Sequence, residues 1–598
     1  MSEDLEFFYS GGLNQKSQPK QGPGRKIKNY LKNWLKDRLP DENQTKNLVK
    51  FLPKKERYII LGLSLTLIIS LFAIPIGYWL DITYAGPDFG GRVSEGLIGE
   101  PRLINPVLLS TDTDRDLAQL TYSGLLKNDG KGNFVPDLAQ DFSVSDDGLT
   151  YRFNLRKDAK WHDGRPFTAE DVLFTVRTVQ NQDLSSPQRI NWQGVGAVKI
   201  DDFAVEFRLK DPYAQFVNNL NLGILPAHLW QEVKPQNFIL NELNLKPVGT
   251  GPYKFSKLKK NKSGRLTSYE LVANDDYFLG RPYIDSMEFK FYSTEEELIQ
   301  AFNLSRVENL NGITPINLKG LRFPGKVKIQ ELKIPRYFAV FMNQNQSDVL
   351  PDKNVRLALA HSVNKDKIIE SISGGGFKVD SPLLPEIFPE FGGGIKKYDY
   401  NPDFARQILE NSNWTDTDGD GFREKNEKKL EIELVVPLRK GLTEVGERLK
   451  KDWEDTGIKV NLVNAPIIEL LQNYIQPRAY QVLLFGEVLN VEPDPFSYWH
   501  SSQKKDPGLN LALYDNKVAD KLLEEARQTL NPVARAGKYK DFQNLVIEDL
   551  PAIFLYNLRY IYPQSQKING FEEELLGLPS ERFVNIHKWY IETQRVRK

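Results

Sequence analysis

The sequence predicts an α/β body carried behind one membrane-spanning helix, and three observations predict it. Strand and helix signals are interspersed over most of the chain, the order expected of layered sheets and helices. A run of 23 residues without a charge, 58–80, stands near the N-terminus. The 598 residues are 40% hydrophobic and 26% charged, a composition that sustains a large core and excludes a disordered, collagenous or wholly membrane-embedded chain.

Taken in order, residues 1–57 carry 13 lysines and arginines against 7 acids, a net of +6 that the remainder cancels with −6. Within this leader Ile27, Tyr30, Leu31, Trp34, Leu35 and Leu39 fall at helical spacing among Lys26, Lys28, Lys32, Lys36 and Arg38. That pattern reads as a basic helix on anionic lipid, or equally as a solvated tail. The apolar run 58–80 is long enough for about 30 Å of hydrocarbon. Lys50, Lys54, Lys55 and Arg57 flank only its first end and Tyr78 and Trp79 mark its second, so the N-terminus is expected in the cytoplasm and the bulk outside. The leader is too long for the n-region of a signal peptide, which favours an uncleaved anchor. Residues 81–91, with Gly86-Pro87 and Gly90-Gly91, read as a linker.

Beyond it, 151–155 (YRFNL) alternates as a strand, 198–209 (VKIDDFAVEFRL) reads as a hairpin turning at Asp201-Asp202, and 287–292 is another strand. Thr168 is placed to cap a helix that has Glu170 and Asp171 in its first turn; 354–362, 402–409 and 515–529 are apolar-periodic helices.

Equal numbers of cations and acids, 79 each, give no field for a nucleic-acid backbone. With no cysteine there is no disulfide, thiol nucleophile, cysteine-metal site or lipid anchor on cysteine. Catalytic motifs are also missing: there is no H-E-x-x-H, no G-x-S-x-G and no P-loop, and His162, His228, His361, His500 and His587 are scattered. An anchored envelope hydrolase therefore has no residues to rest on. Asp416, Asp418, Asp420 and Glu427, with Gly421 between, match the ligand spacing of a calcium loop. A strand, 429–436, follows where a helix should, so structural calcium and an acidic loop without metal both stand at this point; no other cofactor is expected.

Several blocks carry a family resemblance that spans the body. Residues 139–161 (AQDFSVSDDGLTYRFNLRKDAKW), then His162-Asp163-Gly164-Arg165-Pro166-Phe167-Thr168-Ala169-Glu170-Asp171-Val172, then Gly249-Thr250-Gly251-Pro252-Tyr253 resemble, in order, the signature blocks of the peptide/nickel class (family 5) of extracellular solute-binding proteins of ABC transporters. Ala159 departs from the usual Val, Ile or Gly. Ile104-Asn105-Pro106, Leu225-Pro226-Ala227-His228-Leu229, residues 354–360 and Asp494-Pro495 are further matches.

The resemblance implies a two-lobed periplasmic-binding-protein-like fold of the large peptide-binding type, with lobe I from 92–335 and 557–598, lobe II from 336–556, and crossings near 334–338 and 556–561. It implies a non-enzymatic protein that holds a peptide or similar small solute between closing lobes and hands it to an ABC permease with its ATPase. A ligand sensor or envelope scaffold is the alternative use of such lobes. Where peptide binders of the family often carry an Asp for the ligand's amino terminus, this chain has Val491, so Glu487 and Glu492 become candidates for that charge. Tyr122, Trp192, Tyr498 and Trp499 are the aromatic candidates for the cleft, each with core packing as its alternative.

Overall fold

The computed structural model describes residues 52–322, 324–372 and 376–597; the basic stretch of the leader lies outside them. The chain divides into two compact units, one containing the N-terminal helix and Arg595, the other running Pro87–Gln594.

In the first unit the apolar run lies within a helix, Lys54–Ile82, whose side chains are all left unburied. Its 29 residues make about 43 Å of helix, more than a hydrocarbon core requires. Where the sequence reads as a linker, the helix continues to Ile82 and Thr83–Pro87 form a strand paired with the C-terminal strand Thr593–Arg597. The pairing has a side-chain basis. Arg595 Nη1 donates to the carbonyls of Leu80 at 3.4 Å and Thr83 at 3.3 Å and to Thr83 Oγ1 at 3.2 Å, and its guanidinium lies 5.1 Å from the Trp79 ring centroid. A cation at the C-terminal end of a helix meets carbonyls that have no partner within the helix.

The second unit contains three larger sheets. A five-stranded sheet has the order Asn309–Leu310, Arg92–Ile98, Ser286–Tyr292, Leu266–Ala273, Tyr253–Lys260. A four-stranded antiparallel sheet holds Ala139–Val144, Thr150–Leu155, Ala204–Arg208 and Gly196–Asp201, the last two forming the expected hairpin. Both pack on one core that includes Val93, Leu117, Phe153, Tyr253, Phe289 and Trp589. The third sheet has six strands: Gly376–Lys378, Ala552–Leu558, Arg336–Met342, Val482–Val488, Glu431–Pro437 and Lys459–Ala465. Along Arg336–Met342, Val340 and Met342 enter one core and Tyr337, Ala339 and Phe341 another, so the period of two makes this sheet the middle layer of a sandwich with helices on both faces. Between the first core and this sandwich the chain passes at 333–335 and again at Arg559, where the ladder of Val327–Leu332 with Tyr560–Ser565 gives way to that of Arg336–Met342 with Ala552–Leu558.

The signature blocks are knitted to one another. Thr168 and Asp171 form a capping box on the helix Ala169–Gln180, and Asp171 also accepts from Trp161 Nε1 at 3.3 Å and from the amide of Ala227 at 2.9 Å. His162 accepts from the amide of Gly249 at 3.1 Å through Nδ1 and meets the Gly251 carbonyl at 3.0 Å through Nε2. Burial holds this imidazole neutral, its pKa pulled down to about 4. A Cβ on Gly249 would stand 1.7 Å from the carbonyl oxygen of Thr121, so only glycine lets this turn pass the end of the helix Asp112–Thr121. These motifs build the scaffold.

A candidate solute-binding cleft

Two cavities are candidates for a solute site. The larger, about 530 Å³, is on the sandwich side and close to the crossings. It is lined by Phe338, Leu438, Leu442, Ile467, Phe485 and Val488, with Arg336, Arg439 and Glu487 as its charged-type residues. The smaller, about 200 Å³, is walled mainly by the first core and is rich in amides, among them Gln188, Asn191, Asn218 and Asn219; Asn490 closes it from the other side. Apolar walls with a few placed polar groups suit small-solute recognition.

The six ligand candidates separate in the structure. Tyr122 and Trp192 both line the smaller cavity. The buried hydroxyl of Tyr122 has no hydrogen-bond partner, and burial pushes its pKa up. Trp192 is fixed edge-on against Phe207 and Phe216, each 5.8 Å away between centroids. Glu487 lines the larger cavity, but its carboxyl bonds the Tyr337 hydroxyl and burial raises its pKa well above the usual range, which makes it a neutral acid. Glu492 is ion-paired with Arg535 at 2.6 Å. Tyr498 donates to the Val488 carbonyl at 2.6 Å. Trp499 is 1% exposed and packs on Phe341, Tyr514 and Phe554 in the sandwich core. Val491 is buried. Glu492 is thus already paired with Arg535, whereas Glu487 keeps its buried Oε1 without a hydrogen-bond partner.

Across the junction, the hydroxyl of Tyr213 donates to Asp494 Oδ2 at 2.9 Å, and Arg527 holds the same oxygen at 2.6 Å. Asn218 Nδ2 donates to the Glu492 carbonyl at 2.8 Å and Gln215 Nε2 to the Tyr539 hydroxyl at 2.7 Å. These contacts tie the segment 213–219 to the sandwich beside the smaller cavity.

Sequence reasoning missed Arg336 and Arg439. Arg336 follows a crossing and Arg439 follows the strand Glu431–Pro437, and nothing in the spacing of either announces that the fold brings them to one cavity.

The acidic loop forms, in part. Asp416, Asp418 and Asp420 bring ligand atoms within 4.8 Å of one another, all exposed. Glu427 is not among them: it occupies, at φ 66°, the turn between the short strands Glu424–Lys425 and Lys428–Lys429. Asp416 accepts from the amides of Gly419 and Gly421, and Lys429 pairs with Asp420 at 2.6 Å, so backbone donors and a lysine already satisfy much of the cluster.

An α/β body with one cavity beside a chain crossing and another between the first core and Asn490 has the geometry of a solute-binding protein. Residues 133–508 match the family described as "Bacterial extracellular solute-binding proteins, family 5 Middle", and the chain belongs to that family. It is accordingly a non-enzymatic, extracytoplasmic solute-binding component of an ABC transporter. Among relatives, the oligopeptide-binding protein AppA of Bacillus subtilis is 30% identical over 523 residues, covering 84% of this chain and 92% of AppA. The dipeptide-binding protein of Escherichia coli is 24% identical over 508 residues, covering 80% and 91%. Of solved structures, Bacillus subtilis AppA in complex with a nonapeptide aligns with TM-score 0.69 at 28% identity, covering 85% of this chain and all of that one. NikZ of Campylobacter jejuni in complex with Ni(L-His) gives 0.69 at 26% identity, covering 83% and 99%.

Proposed function

We propose that the protein captures peptides, or a solute of similar chemistry, between two lobes and delivers them to an ABC permease. The observation that carries this reading is a cavity between the first core and Asn490, with a second in the sandwich beside the crossing at 333–335, in a body whose separate cores are joined by that crossing and by Arg559. By these crossings lobe I is 92–335 with 559–598 and lobe II 336–558, the strand Ala552–Leu558 carrying the second boundary two residues beyond the expected 556. A solute touching both stabilises the closed arrangement over the open one. Relatives described as oligopeptide- and dipeptide-binding support peptides, and the Ni(L-His) complex of NikZ supports a small chelate as the competing cargo. In this reading Tyr122, Trp192, Asn218 and Asn490 contact the solute from the smaller cavity, and Arg336 and Arg439 from the larger.

The helix Lys54–Ile82 serves as a retained anchor, with the leader cytoplasmic and the body outside. The contacts of Arg595 with the carbonyls of Leu80 and Thr83 support this reading, since they form only where the helix is kept. Two mass measurements on natively purified protein test the proposal. Denaturation should release a series of short-peptide masses, and a non-peptide solute would overturn the peptide assignment. The intact mass should include the leader; a chain beginning after the helix would overturn the anchor.

A further inference from the structure

The second end of the helix Lys54–Ile82 carries cations that the protein leaves incomplete. The uncharged run stops at Leu80, and Tyr78 and Trp79, both exposed, stand where interfacial aromatic side chains meet lipid headgroups. Pairing of Thr83–Pro87 with Thr593–Arg597 brings two arginines to this end from a distant part of the sequence. Arg595 is held in place there: its Nη1 donates to the carbonyls of Leu80 and Thr83 and to Thr83 Oγ1, and its guanidinium lies 5.1 Å from the Trp79 ring centroid. Its Nε and Nη2 make no hydrogen bond among the described residues. Arg597, two residues on and therefore on the same face of the strand, is exposed and has neither an ion pair nor a hydrogen bond among them. Val596, on the opposite face, lies against Gly86, where a Cβ would stand 2.9 Å from its Cγ2.

Acids of the protein do not complete this pair. Asp81, exposed in the last turn of the helix, forms no ion pair with either arginine among the described residues. The next acids in sequence, Asp88 and Glu592, lie beyond the paired strands, where Glu592 packs against Gly90. Two guanidiniums with free donors at the level of Trp79 therefore face the phosphates of the surrounding lipid. A guanidinium takes a phosphate through parallel hydrogen bonds, and a headgroup with no ammonium of its own leaves that attraction uncancelled.

We infer that Arg595 and Arg597 bind the phosphate of an anionic phospholipid in the extracytoplasmic leaflet, and that this lipid fastens the strand Thr593–Arg597 to the end of the helix. This rests on the reading of Lys54–Ile82 as a retained anchor and adds a lipid to the solute and the permease as partners.

The chain has no cysteine, so one introduced as Gln594→Cys, at an exposed strand position, takes a fluorophore at a single place. The labelled full-length protein is placed in phosphatidylcholine nanodiscs that contain a small fraction of either phosphatidylglycerol or phosphatidylcholine with a quenching nitroxide near the top of one acyl chain. Quenching reads the lipid around the strand and not that around the leader, a bilayer thickness away. Nitroxide phosphatidylglycerol should quench as though enriched at least about fivefold over nitroxide phosphatidylcholine, the factor that one arginine supplies at an anionic lipid surface. The double variant Arg595→Gln, Arg597→Gln should bring the two lipids to within about twofold of each other, and Arg597→Gln alone, which breaks no contact, should fall between. Equal quenching by the two lipids in the otherwise wild-type protein, or a preference that survives in the double variant, overturns the lipid site. Quenching by neither lipid overturns it too and leaves the anchor standing, because the nanodisc holds the protein by that helix.

Discussion

Replacing Tyr213 by Phe removes one hydroxyl and keeps the ring, which lies 5.2 Å from the guanidinium of Arg527. The lost bond is the 2.9 Å donation to Asp494, a contact between the segment that walls the smaller cavity and the sandwich. Asp494 keeps its charge partner, since Arg527 Nη2 remains at 2.6 Å, so the substitution leaves no buried charge unpaired. A hydroxyl bonded to an ionised carboxylate contributes roughly 1.5–3 kcal/mol. If that bond exists only while the lobes are together, its whole value is subtracted from closure, and solute affinity falls roughly 10- to 100-fold. Calorimetric titration of the recovered solute into stripped wild type and Tyr213→Phe measures this directly. An affinity within about twofold of wild type, with lowered thermal stability, would show that the bond braces the fold and plays no part in closure.

Three further outcomes follow from the packing. Arg582 is 0% exposed and holds Glu95 at 2.6 Å and Asp116 at 2.7 Å, so Arg582→Met strands two buried carboxyls at a cost of roughly 3–5 kcal/mol in urea unfolding. Burial already raises both carboxyl pKa values, so the unfolded chain ionises first as pH rises; the deficit of this variant should therefore grow from about pH 4 towards pH 8, and a deficit that shrinks over that range would contradict the argument. Gly249→Ala should yield no cooperatively folded body, because its Cβ would sit 1.7 Å from the Thr121 oxygen, whereas Gly537→Ala, in open space on the helix Pro532–Asp549, should raise the melting temperature slightly. Millimolar calcium should leave the melting temperature unchanged, since Lys429 neutralises Asp420 and Glu427 lies outside the triad; a clear rise would restore the calcium loop.

Much of the fold was legible because its local signals agree with its tertiary demands. The turn at Asp201-Asp202, the cap at Thr168 and the helix starting at Pro402 behind Asn401 all formed where short-range chemistry placed them. The strand Thr83–Pro87 was hidden because its partner is at the other end of the chain and its own composition is that of a turn. In the cleft, pattern identified aromatic residues without telling which way they face: Tyr122 lines a cavity while Trp499 fills the core. The partners of Glu487 and Glu492, Tyr337 and Arg535, come from distant segments and could not be read from the spacing of the acids. Arg336 and Arg439 escaped notice for the same reason in reverse, since what marks them is the lack of acidic partners in space.

The central claim is that a solute holds the two lobes together, and small-angle X-ray scattering of the natively purified protein before and after its solute is stripped tests it most directly. The account predicts a larger radius of gyration after stripping, reversed when the recovered solute is added back. A radius that stays the same through removal and return of a solute that binds would contradict it.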